Sequence, residues 1–125
     1  MTDDRKGLGK WGEGLAARYL EDKGYQVVAR NWRNRQGEID LVAQAGQVWV
    51  FVEVKTRRGR ATGTPEEGVT WRKGHQLLEL AQAYLLAHEL EDVEWRIDVV
   101  AVELDGHGRL LRCEHIPNAV TDWWG

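Results

Sequence analysis

Two stretches constrain the fold of this chain more than any other: Gly37-Glu38-Ile39-Asp40-Leu41 and Val50-Phe51-Val52-Glu53-Val54-Lys55. Both read as β-strands, Ile39 to Ala43 and Val48 to Lys55, closed into a hairpin by Gln44-Ala45-Gly46-Gln47. Side chains alternate along a strand, so Val48, Val50, Val52 and Val54 form one face, and Trp49, Phe51, Glu53 and Lys55 the other. The first face is apolar throughout, whereas the second turns from aromatic to charged towards its end. Asp40 interrupts Ile39-Leu41-Val42, and hairpin pairing brings it near Glu53. Charges set among Val, Ile, Leu and Phe are costly unless compensated. A divalent cation between Asp40 and Glu53 is one compensation, with Lys55 beside it and the main-chain carbonyl of Val54 as a further ligand. Simple emergence of the strand into solvent is the other.

Around this hairpin the pattern predicts the order α-β-β-β-α-β-β. Leu8, Trp11, Leu15 and Tyr19 recur at helical spacing and Gly24 stops that helix. A short strand runs from Tyr25 to Arg30 and a turn from Asn34 to Gly37, while Arg57 to Pro65 reads as a loop. Thr64-Pro65-Glu66-Glu67 resembles a helix start, continued by Leu77, Leu80, Ala81, Tyr84 and Leu85 to about Leu90. Trp95 to Leu104 and Leu110 to Ile116 are the last strands, separated by the turn Asp105-Gly106-His107-Gly108. The expectation is one α/β domain over residues 1–125, a mixed sheet with a helix on each side.

Cys113 is the only cysteine, which excludes a disulfide framework and a cysteine metal site. His75, His88, His107 and His115 lack metal-ligand spacing and read as surface or satisfied histidines. No apolar run approaches the ~20 residues of a membrane span, and Thr2-Asp3-Asp4-Arg5-Lys6 does not lead into a signal-peptide core. A cytoplasmic protein without membrane contact is expected.

The net charge of −3 argues mildly against a nucleic-acid partner, but its distribution argues the other way. Between Val28 and His75 there are nine basic residues against five acidic ones, so the basic excess surrounds the acidic hairpin. Arg30, Arg33, Arg35, Arg57, Arg58 and Arg60 either contact phosphates or merely solvate loops. Trp32, in that basic segment, can stack on an exposed base. Trp11, Trp49 and Trp95 lie in periodic segments and read as core; Trp123 and Trp124 cap the core, pack in a dimer or touch nucleic acid. Arg96 and Asp98 share a strand face and read as a structural ion pair.

Carboxylates are hard ligands suited to Mg²⁺ or Mn²⁺. Such an ion beside a lysine suits hydrolysis of a phosphodiester, which needs positive charge on its oxygens and an activated water. At these residues the chain resembles the YraN-like family of bacterial proteins. That family is grouped with the PD-(D/E)xK, or restriction-endonuclease-like, nucleases and is similar to archaeal Holliday-junction resolvases. The resemblance runs through Gly9-Lys10-Trp11-Gly12-Glu13, Ala16, Tyr19-Leu20, Gly24-Tyr25 and Arg30-Asn31-Trp32-Arg33. It continues through Gly37–Leu41, Phe51–Arg57, Lys73 and Arg96-Ile97-Asp98-Val99-Val100, so it covers nearly the whole chain. It implies a restriction-endonuclease-like α-β-β-β-α-β core with Asp40, Glu53 and Lys55 as the catalytic set. It also implies that Glu13 is a helix-borne acid of the same site and that Lys73 contacts phosphate. By position alone, both read as solvated helix residues. Ile39 stands where the family pattern usually has proline, a replacement common in the resolvase-like branch.

Two functions of different class follow. One is a metal-dependent endonuclease acting on DNA, in branched, flapped or single-stranded form, as a homodimer because two strands need two sites. The other is a catalytically weak or inactive nucleic-acid- or partner-binding module on the same fold, in keeping with the acidic overall charge and small size.

Overall fold

The computed structural model describes residues 4–59 and 63–120. Helix α1 (Asp4–Asp22) leads into strand β1 (Gln26–Asn34), followed by β2 (Gly37–Ala45) and β3 (Val48–Arg58). A 3-10 turn (Glu66–Gly68) precedes helix α2 (Trp71–Ala87), and β4 (Trp95–Leu104) and β5 (Leu110–Val120) complete the described chain. The strands form one sheet in the order β1-β2-β3-β4-β5. Among the described strands only the β3–β4 pair is parallel, a pairing that needs the crossover α2 supplies; the others are antiparallel. This is the mixed α/β fold, with the α-β-β-β-α-β order of a restriction-endonuclease-like core.

The expected division of faces holds. Val50, Val52 and Val54 join Ala16, Ala17 and Leu20 of α1 in one core, together with Leu41, Ala43, Val100 and Val102. Phe51 joins Leu77, Leu80, Ala81, Tyr84 and Leu85 of α2 in the other, with Ile39, Val42, Ile97 and Val120. Burying each of the Val, Leu, Ile and Phe side chains contributes about 1.5–3 kcal/mol, so the sheet is clamped from both sides. Glu53 and Lys55 continue the Phe51 face beyond the α2 core.

Local signals explain most boundaries. Helix α1 stops where Gly24 takes φ 95, and Tyr25 N–H returns to the Leu20 carbonyl at 3.0 Å. The β2–β3 hairpin turns at Gly46 with φ 62, which the tight turn demands.

Four expectations are corrected. Strand β1 extends through Trp32 to Asn34, because pairing with β2 supports it as far as Asn34↔Gly37; Trp32 is therefore a strand residue, not a loop residue. Strand β3 runs to Arg58 rather than ending at Lys55, because β4 pairs with it in parallel up to Leu104. Thr64 does not start the helix. Val69 leaves helical geometry, and Thr70 caps α2 instead, its hydroxyl accepting from Lys73 N–H. Trp11, expected in the core, is 44% exposed, since Ala16, Ala17 and Leu20 form the sheet-facing stripe of α1. Trp49 and Trp95 do pack against the α2-side core. Arg60, Trp123 and Trp124 lie outside the described residues.

Two ionic staples fix the frame. The Arg96–Asp98 pair is present at 3.0 Å. Asp98, fully buried, also accepts from Asn118 N–H and meets His115 Nε2 at 2.6 Å. Arg112 on β5 grips Glu66 through both terminal nitrogens at 3.0 and 2.7 Å, anchoring the 3-10 turn from which α2 departs.

Candidate functional site

The β2–β3 pairing ends at Leu41↔Val52, and beyond it β3 continues against β4. Where the two strands part, the Asp40 carboxylate replaces the missing backbone partner: its Oδ2 accepts from Val54 N–H at 2.8 Å. Glu53 is only 4% exposed. Lys55 Nζ stands 3.9 Å from its Oε1 and Lys73 Nζ 3.6 Å from its Oε2. Lys73 reaches it because the Thr70 cap begins α2 two residues beyond the Arg112-anchored turn. Glu53 Oε2 is buried without a hydrogen bond among the described residues.

Glu13 arrives from α1. Gly12, its neighbour, lets the helix lie directly on β3: a Cβ there would overlap Thr56 Oγ1. Glu13, Glu38 and Asp40 bring carboxylate oxygens within 4.8 Å of one another. Of the expected site residues, Glu13, Asp40, Glu53, Val54, Lys55 and Arg57 line one cavity of about 260 Å³. Glu38 was missed as part of the cluster. Its signal was available, since Glu38 and Asp40 are two apart on one strand and so share a face.

Burial, followed by repulsion from Glu53, pushes the Asp40 carboxyl up to about 8. Burial also raises the Glu53 carboxyl, opposed by Lys73 and Lys55. Acids so destabilised in their charged forms fit a hard divalent cation, which restores the charged form by Coulomb attraction. The Glu53 oxygen that lacks a hydrogen bond among the described residues and has Lys73 at ion-pair distance, together with the all-oxygen donor set, suits such an ion.

The basic residues divide. Arg30, Arg33, Arg35 and Arg58 are exposed. Arg33 Nε donates to Glu38 at 2.7 Å, and Arg58 Nη2 to the Gly106 carbonyl at 3.1 Å. Arg57 lines the cavity. Trp32 is half-buried with its ring edge-on to Tyr84, centroids 5.3 Å apart, so its area serves the α2 core instead of a solvent-facing stack. Among the described residues no helix is long and apolar enough to cross a membrane.

The profile of the uncharacterised protein family UPF0102 matches residues 12–102. A UPF0102 protein of Roseiflexus castenholzii is 49% identical over 123 residues, 98% of this chain and 99% of its own. A UPF0102 protein of Symbiobacterium thermophilum is 54% identical over 112 residues, 90% of this chain and 94% of its own. Among solved structures, SfsA of Pyrococcus furiosus in complex with Ca²⁺ aligns over 93% of this chain and 64% of its own. At TM-score 0.39 and 13% identity, that likeness is too slight to bear on the site. With a family profile over most of its length and near-full-length relatives at about half identity, the chain belongs to UPF0102, the YraN family.

Proposed function

We propose that this protein is a Mg²⁺- or Mn²⁺-dependent endonuclease that hydrolyses phosphodiester bonds in DNA, in branched, flapped or single-stranded form. The observation that carries this reading is the meeting of Glu13, Asp40 and Glu53 in one cavity with Lys55 in its wall. Asp40, Glu53, Glu13 and the Val54 carbonyl would hold the ion. When bound, it supplies positive charge to the attacked phosphate and acidity to water. Lys55 contributes a compact ammonium that can donate to the attacking water or to a phosphoryl oxygen as negative charge develops. Lys73 contributes a second cation within reach of a phosphate that displaces it from Glu53. Arg57 in the cavity wall and the exposed Arg30, Arg33, Arg35 and Arg58 offer a polyanion a basic approach. Cutting both strands of a duplex branch needs two such sites, which a cytoplasmic homodimer supplies.

The test is cleavage of branched, flapped, single-stranded and plain duplex DNA with Mn²⁺. Wild-type protein is expected to cut at least one substrate, and Glu53→Ala and Lys55→Ala to lose about 10²–10³-fold, the scale of one preorganised electrostatic group. Equal cleavage by Glu53→Ala would overturn the reading. A second reading, a binding module without turnover, is favoured by the two lysines that counter the Glu53 carboxylate. It predicts salt-sensitive DNA binding with no metal-dependent product on the same panel.

A further inference from the structure

Asn31 belongs to none of the roles above, yet its geometry is unusual. It stands in β1 between Arg30↔Leu41 and Trp32↔Ile39, hence directly across from Asp40. Its backbone takes φ 54, a left-handed conformation that a non-glycine residue adopts only at a cost, asparagine less so than most. From there its Nδ2 donates to Glu13 Oε1 at 2.9 Å and to Glu38 Oε1 at 2.7 Å. A side-chain amide has two N–H donors, and both are spent on carboxylates, one from helix α1 and one from strand β2. Because carboxylates only accept, the acids themselves dictate which end of the amide faces them. Arg33 Nε then holds the other Glu38 oxygen at 2.7 Å.

We propose that Asn31 is a positioning residue that holds Glu13 and Glu38 together beside Asp40, so that a divalent cation meets a preformed carboxylate set. The inference deepens the nuclease reading and rests on its metal site. Three carboxylates within 4.8 Å repel one another when ionised, and the two longer ones are free to rotate apart into solvent. Shared donation from one amide opposes that repulsion before any ion arrives, which is preorganisation. The site also presents the buried Glu53 oxygen that lacks a hydrogen bond among the described residues, in the cavity shared with Glu13 and Asp40. Glycine would satisfy the backbone at position 31 better than asparagine does, but it has no amide to offer. Strain retained beside a cluster of candidate ligands is therefore explained by what the side chain reaches.

The experiment measures Mn²⁺ affinity by calorimetry at pH 8 without nucleic acid, together with the thermal midpoint of the metal-free protein. The proteins compared are wild type, Asn31→Gly, Asn31→Ala and Asp40→Asn. Asn31→Gly relieves the backbone but loses both hydrogen bonds; it is expected to bind Mn²⁺ about 10–100-fold more weakly than wild type, the usual scale for removing a residue that orients a ligand. Asn31→Ala keeps the strain and is expected to lose the same affinity while melting lower than Asn31→Gly. Wild-type affinity in Asn31→Gly, with the loss confined to Asn31→Ala, would make the residue's effect one of backbone geometry and overturn the proposal. Absence of any Asp40-dependent Mn²⁺ binding in wild type would instead remove the metal site itself, and this inference with it.

Discussion

Asp40→Asn is expected to abolish metal-dependent cleavage, by about 10²–10³-fold or more, while making the metal-free protein more stable at pH 8 and above. The two effects share one cause. In the folded state burial and the neighbouring Glu53 push the Asp40 carboxyl up to about 8, against an ordinary value of 3.8. Between those limits the folded protein binds more protons at this group than the unfolded chain does. Its stability therefore falls as pH rises through that window, and the benefit of the protonated form is lost above about 8. Asparagine keeps the shape and an oxygen to accept from Val54 N–H, but has no charge to bury. The thermal midpoint of wild type without metal is thus expected to drop by several degrees from pH 5 to pH 9, and that of Asp40→Asn to show less of the drop. Added Mn²⁺ should raise the wild-type midpoint at pH 8 by mass action and leave the variant unmoved. A variant that tracks wild type across the pH range would show that Asp40 bears no buried charge, and one that gains stability with Mn²⁺ would show that it does not hold the ion.

The second large effect is on stability. Gly12→Ala is expected to lower the thermal midpoint strongly, because the added Cβ overlaps Thr56 Oγ1 and lies 3.2 Å from the Thr56 Cβ. Turning the threonine to another rotamer does not remove the contact with its Cβ, which stays at 3.2 Å. The helix must move away from β3, at about 1–3 kcal/mol for overpacking, and Glu13 moves with it. Thr56→Ala should restore much of the loss, since Thr56 Oγ1 is buried and makes no hydrogen bond among the described residues. A urea-denaturation double-mutant cycle reads the coupling directly; purely additive effects would overturn the Gly12–Thr56 contact as the source of the cost.

The hairpin was the most legible part of the fold, because alternation over Val48–Lys55 needs only the two-residue period of a strand. That period assigned Phe51 and Val52 to opposite cores before any packing was known. Boundaries were less legible. The end of β3 depended on parallel pairing with β4, a partner 46 residues away (Arg58↔Leu104) that leaves no mark near Arg58. The start of α2 was misplaced because Thr64 and Thr70 offer similar caps, and the Arg112–Glu66 contact that holds the intervening 3-10 turn is remote in sequence. Trp11 was misassigned for the same kind of reason. Helical spacing identifies a stripe, but which neighbouring stripe meets the sheet depends on the close approach at Gly12.

For the site, the sequence by itself determined the acid and lysine content of the hairpin, the shared face of Glu53 and Lys55, and the family to which the chain belongs. Only the tertiary structure decided that β2 and β3 part at Asp40, that Lys73 faces Glu53, and that Asn31 joins Glu13 to Glu38. The division follows from range. Strand alternation is a local rule that each residue carries with it, whereas a cluster drawn from two helices and three strands exists only once long-range packing has fixed where those elements meet.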